Sequence, residues 1–273
     1  MRKLAAVLVP LLRMCIPSYA WGPEGHRIVA EVAEHHLSAA ARREIEDLLG
    51  NDDLAAISNW ADETREQRPD TAGWHFVNIP WNAEGFSQTR DCFHPDPSHA
   101  ASLVDHHNCV VDRIEIYETT LGNRRAPREE RVEALKFLVH FVADLHQPLH
   151  AVGETRGGND IHISAFGETR CGGRACNLHL LWDEGMIDHT RLSEVDYAAE
   201  LEKFITRSNL QTVPPGIPAQ WANESFRLAH QAWLRDGDTA TEDYYRRNRN
   251  NLDRRLAFAG FRLAVLLNRA LWD

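Results

Sequence analysis

Residues 134–150 read ALKFLVHFVADLHQPLH. The run is strongly apolar and stops before Pro148, so it reads as a helix over 129–146. His140 and Asp144 lie four apart and project from one helical face. His150 follows just beyond the proline. An imidazole and a carboxylate buried without partners are costly. They form either a structural ion pair or part of a metal site.

A second stretch shifts that balance. NLHLLWDEG, residues 177–185, places His179 and Asp183 at the same spacing among Leu and Trp. Two His-x-x-x-Asp pairs and a third histidine favour one shared metal cluster over two independent ion pairs. Nitrogen and oxygen ligands of this kind suit zinc.

Helical patterns extend outward from this centre. His26 to Leu37 is amphipathic, and a second run starts at Ser38, a plausible N-cap, and stops at Gly50. Residues 53–66, 98–120, 196–210, 219–237 and 242–271 also read as helices. Strand signals are confined to WHFVNIPW at 74–81 and DIHISAF at 160–166. Segments 80–97 and 153–178 read as loops. The expected fold is all-α, one mainly helical domain over 21–273 with a few short strands.

The chain has 273 residues, 43% apolar, which suffices for a packed core. A net charge of -10 argues against a basic protein that coats nucleic acid non-specifically. It leaves nucleic acid open if a metal site supplies local positive charge.

Residues 1–20, MRKLAAVLVPLLRMCIPSYA, read as a secretory signal peptide. Arg2 and Lys3 open it, an apolar stretch follows, and Ser18 and Ala20 mark a cleavage site after Ala20. Arg13 interrupts the apolar run too early for a membrane anchor. The mature chain would be secreted or periplasmic, with no membrane anchor, and would begin at Trp21.

Four cysteines remain: Cys92, Cys109, Cys171 and Cys176. In an exported chain they favour two disulfides, and three pairings are possible. Proximity favours Cys92–Cys109 and Cys171–Cys176. A thiolate metal site competes, though the usual CxxC spacing is missing.

Further candidates are Asp62 in NWADETR, His75 in WHFVN and His26 in WGPEGHRIVA. With GGND at 157–160 and AGFRLAVLLN at 259–268, these stretches occur in one order over nearly the whole mature chain. In that order they resemble the zinc-dependent single-strand nucleases of fungi, plants and bacteria, the S1/P1 type. Bacterial zinc phospholipases C look similar, more distantly, at the metal site.

The resemblance implies three zinc ions. Asp62, His75, His140 and Asp144 would hold the first, and His150, His179 and Asp183 the second. The third would take His26, Asp144 as a bridge, and the amino nitrogen and carbonyl oxygen of Trp21. It implies hydrolysis of single-stranded DNA and RNA to 5′-phosphate products, with activity on 3′-nucleotides. Asp62 would also orient the attacking water, and Arg65 would steady charge on the phosphoryl oxygens. Phe76 would stack an unpaired base, although a core phenylalanine is the competing reading. Asn159 would contact the base edge. Asn78 stands where the fungal enzymes carry aspartate, so base preference could differ. The protein is expected to act as a monomer.

A zinc phospholipase C and a non-catalytic zinc-binding protein are the alternatives. The phospholipases are expected to carry Glu at the position of Asp183. His35, His36, His94, His99, His106, His107, His146 and His162 match no ligand of the family. The run Arg246, Arg247, Arg249, Arg254 and Arg255 reads as a solvated helix face. Asn223-Glu224-Ser225 is a glycosylation sequon if the host is eukaryotic.

Overall fold

Helix α1 (Pro23–His35) begins with proline in its first turn, where a missing N–H costs nothing. In α2 (Ala39–Leu49) the Ser38 hydroxyl accepts from Ala41 N at 3.1 Å, and Gly50 ends the helix at φ 72°. Both ends match the sequence reading. The computed structural model describes residues 21–92 and 108–272. Five more long helices follow: α3 (Val110–Gly122), α4 (Arg128–His146), α5 (Glu194–Arg207), α6 (Pro218–Ala232) and α7 (Glu242–Ala270). The signal-peptide reading, residues 98–107 of the helical run expected over 98–120, and His94, His99, His106 and His107 lie outside the described residues.

Helix α4 is the axis of the molecule. Every residue from Phe137 to His146 is buried, as an apolar stretch on all faces requires. Phe137 stacks on Tyr117 of α3 (centroids 4.7 Å) and on Phe141 (4.9 Å). Each such side chain contributes about 1.5–3 kcal/mol by leaving water. Helix α1 packs across α7 at Gly260, where a Cβ would lie 2.5 Å from Val32 Cγ1. A larger residue there would force the two helices apart.

Strands are scarce among the described residues. β1 (Ser164–Ala165) pairs in parallel with β4 (Thr239–Ala240), and β2 (Arg170–Cys171) pairs antiparallel with β3 (Arg174–Ala175). The 160–166 expectation therefore shrinks to two residues and an isolated bridge, His162–Asn177. The 74–81 expectation fails as a ladder strand. Pro69–His75 is a tight helical turn, and the following residues are extended but served by loops. Val77 N donates to His150 O (2.8 Å), and Gly153 N to Ile79 O (3.0 Å).

The helix expected over 53–66 breaks into Leu54–Ile57 and Trp60–Glu63. The break leaves Ser58 O to accept from His140 Nδ1 at 2.8 Å. The cysteines pair as proximity suggested, Cys92–Cys109 and Cys171–Cys176, so none is a thiolate ligand.

One surface reading changes. Arg255 is 4% exposed and engages the core, so the arginine run on α7 is not one solvated face. The Asn223 side chain is also occupied: Oδ1 accepts from Phe86 N (2.8 Å) and Nδ2 donates to Ala219 O (2.9 Å). No described helix is long and apolar enough to cross a membrane.

Candidate metal centre and nucleotide cleft

Three histidines are oriented by backbone carbonyls. His140 Nδ1 donates to Ser58 O (2.8 Å), His150 Nδ1 to His75 O (2.7 Å) and His179 Nδ1 to Gly157 O (2.7 Å). A neutral imidazole that donates from Nδ1 carries its lone pair on Nε2. All three Nε2 atoms point inward at other acceptors.

In the first cluster His140 Nε2 lies 3.1 Å from His75 Nδ1, 3.4 Å from Asp144 Oδ2 and 3.7 Å from Asp62 Oδ2. In the second, His150 Nε2 and His179 Nε2 face each other at 3.1 Å, with Asp183 Oδ2 3.5 Å from His179. His26 stacks flat on His140 (centroids 4.0 Å), and its Nε2 sits 3.3 Å from Asp144 Oδ1. Asp144 thus faces His26 with one oxygen and the first cluster with the other. Trp21 is wholly buried, and Gly22 N donates to Asp183 O at 2.9 Å, which ties residues 21–22 to the second cluster.

Among the described residues nothing donates a hydrogen bond to Asp144 Oδ1, Asp62 Oδ1 or either nitrogen of His26. Lone pairs that converge without donors repel unless a cation sits among them. The donor set of imidazoles and carboxylates fits zinc. Grouping by reach gives His75–His140–Asp144, His26–Asp62–His140 and His150–His179–Asp183.

The protonation states agree. Burial, the largest cause, holds His26, His75 and His150 well below the ordinary histidine range, and neighbouring imidazoles add to it. Burial takes His179 down to about 4. It pushes Asp62 up, and Asp144 and Asp183 well above the ordinary carboxylate range. Neutral imidazoles and strained buried carboxylates are ready to exchange protons for a metal.

The pair His179–Asp183 stands on an unusual backbone. Leu178–Leu180 is α-helical, but Leu181–Gly185 widens into a π-turn, a deviation that recurs at functional sites. Opposite it, Thr155, Arg156, Gly157 and Gly158 all have φ between 42° and 80°. At Gly157 a Cβ would meet Leu149 O at 2.5 Å and His179 Nδ1 at 3.2 Å. Only glycine can bring its carbonyl so close to that ring.

From the clusters, Asp62, His75, His150 and His179 line a cleft of about 680 Å³. Phe76, half-buried, lines it with Asn78, Asn159, Arg65 and Arg156. Arg65 NH1 lies 3.8 Å from Asp62 Oδ1. His146 is buried but points away, donating from Nδ1 to Val142 O (2.7 Å) and accepting from Arg262 (2.9 Å). His36 pairs with Glu202 and exposed His162 with Asp236. The sequence reading passed over Gln147, whose Nε2 donates to Asp183 Oδ1 at 2.6 Å. A buried amide inside HQPLH was its only signal.

These features define a helical protein with clustered histidines and carboxylates, able to hold metal, beside a cleft. The sequence model of the family described as S1/P1 Nuclease matches residues 21–272, and the chain belongs to that family. The family is metal-dependent. Endonuclease 1 of Arabidopsis thaliana is 30% identical over 99% of this chain and 94% of its own length. Endonuclease 2 of the same plant is 29% identical over 92% and 90%. Nuclease P1 of Penicillium citrinum is 28% identical over 91% and 97%.

Proposed function

We propose that this protein is an exported endonuclease. It hydrolyses phosphodiester bonds of single-stranded DNA and RNA to 5′-phosphate products, and also acts on 3′-nucleotides. The observation that carries this reading is the convergence of donor-free lone pairs beneath a cleft edged by a half-exposed phenylalanine. Three zinc ions would be held by Asp62, His75, His140 and Asp144; by His150, His179 and Asp183; and by His26, Asp144 and the amine and carbonyl of Trp21. Zinc bound there supplies Lewis acidity toward a phosphodiester.

The chain's own groups do the rest. Asp62 Oδ1 orients the attacking water and accepts its proton. The water oxygen bonds to phosphorus in line, and the bond to the 3′ oxygen breaks. That oxygen leaves as a 3′-hydroxyl by taking a proton from solvent water, and Asp62 returns its proton to solvent. Arg65 donates to the phosphoryl oxygens as charge develops. Phe76 stacks the base, while Asn78 and Asn159 offer amide groups to its edge. Stacking needs an open base face, which favours single strands.

Cleavage after Ala20 would free the Trp21 amine, with an ordinary pKa near ~8, to act as a ligand. Export agrees with two disulfides, which persist in oxidising compartments. The protein would work as a monomer. The comparisons lend no support to a zinc phospholipase C or a non-catalytic zinc-binding protein.

The test pairs elemental analysis of the mature chain with release of mononucleotides from single-stranded DNA and RNA. Three zinc ions per chain and release from both polymers are expected. One metal or none, or no release, overturns the reading.

A further inference from the structure

A helix ends with carbonyls that its own N–H groups cannot reach. In the last turn of α4, Asp144 O accepts from Gln147 N (3.0 Å) and Leu145 O from Ser225 Oγ (2.5 Å). His146 O accepts from Arg255 Nε at 2.9 Å. Two of these three partners come from other helices, α6 and α7.

Arg255 is itself clamped. It donates to Glu224 Oε2 (2.7 Å) and to Ser225 Oγ (2.6 Å). Arg262 grips both oxygens of Glu224 (2.7 and 2.8 Å) and donates to His146 Nε2 (2.9 Å). Both arginines are almost wholly buried. Two guanidinium groups facing one carboxylate leave surplus charge in the interior. Apolar residues of similar volume often serve stability as well or better.

The turn they hold joins the two metal clusters. Asp144 lies just before it and His150 just after. Within it Gln147 Nε2 donates to Asp183 Oδ1 (2.6 Å), and Gln147 Oε1 accepts from Leu149 N (2.5 Å). Rotating this turn would move His150, and Asp183 through Gln147, relative to Asp144.

We infer that Arg255 and Ser225, held by Glu224 and Arg262, are positioning residues that set the second metal cluster against the first. They touch neither metal nor substrate and act through residues 145–150. This rests on the metal-centre reading above.

The variants are Ser225→Ala, Arg255→Lys and Arg255→Met, with Arg249→Met as control. Arg249 lies on the same helix but bonds Asp253 and Tyr245. Zinc affinity is measured by chelator competition well below each melting temperature. Anomalous diffraction after partial chelation shows which site empties. Outer-shell changes of this kind weaken metal binding about 10–100-fold. Arg255→Met should do so at His150–His179–Asp183, leaving the His75–His140 site within a few-fold of wild type. Arg255→Lys should recover part of the loss, and Ser225→Ala should show a smaller loss at the same site. Arg249→Met should lower the melting temperature without moving either affinity.

Equal weakening of both sites, the same effect from Arg249→Met, or wild-type affinity in Ser225→Ala and Arg255→Lys overturns the inference. If Arg255→Met does not fold, those two milder variants decide. A wild-type chain that binds no zinc would instead overturn the proposed function.

Discussion

Replacing Asp144 with Asn should move the metal-free and metal-loaded proteins in opposite directions. The carboxylate is completely buried, and burial pushes its pKa well above 3.8. Without metal it is therefore a liability. At pH 7 that liability cannot exceed ~4 kcal/mol, because the group can protonate instead at ~1.36 kcal/mol per unit of pKa. An amide of the same shape removes about 1–4 kcal/mol of strain. For a chain of this size ~1 kcal/mol moves the melting temperature by about 2–4 °C. The metal-free variant should therefore melt roughly 2–16 °C above metal-free wild type.

With zinc the order reverses, since Asp144 faces His26 with one oxygen and His75 and His140 with the other. The variant should bind fewer ions and gain less from them. A raised carboxyl pKa destabilises the fold only as pH rises above the unfolded value. The metal-free advantage should thus fade as pH falls toward 4. Calorimetry with and without chelator, at pH 7 and pH 4.5, reads all of this. A metal-free variant that melts below metal-free wild type would refute the reasoning. The carboxylate would then be holding charged imidazoles in a structural ion pair.

Phe76→Ala should slow mononucleotide hydrolysis about 5- to 150-fold with zinc content intact, the range set by ~1–3 kcal/mol of stacking. Wild type should cut single strands at least ~10-fold faster than duplex at moderate salt, because unpairing costs a few kcal/mol. Equal rates on both strands and an unaffected Phe76→Ala variant would contradict stacking. Burial lowers the ligand histidines, His179 to about 4, so acid release of bound zinc should not follow the titration of a free imidazole. Release with a midpoint near ~6.5 would contradict that. A mature chain carrying one extra residue before Trp21 should lose one zinc and most activity, and full metal content in that form would exclude the amine as a ligand.

The candidate metal clusters were legible because a histidine and a carboxylate four apart on a helix leave a local pattern. His140–Asp144 and His179–Asp183 both show it, and the structure places each pair in a buried group that could hold metal. What the pattern could not carry is what holds those ligands in place. Ser58 contributes only a carbonyl, and reading 53–66 as one helix hid the break that frees it. Gly157 contributes a carbonyl and the absence of a side chain. WHFVNIPW has strand composition, but a ladder needs a neighbouring strand, and here residues 150–153, the end of a short helical turn and the loop after it, take that place. Arg255 looked solvated because it follows Arg254 on a charged helix. Its burial depends on Glu224, which arrives from another helix.

The tripeptide Asn223-Glu224-Ser225 also bears on how the protein can be made. The glycosylation machinery of a yeast or mammalian secretory host meets the chain before it has folded. A sugar attached to Asn223 Nδ2 would displace the bond to Ala219 O and wedge apart the segment that delivers Phe86 N. Glu224 and Ser225, in the same half-turn, would be dragged from the end of α4. A host without that machinery spares the chain this conflict, and in a host that has it the unmodified molecules are the ones able to close their core.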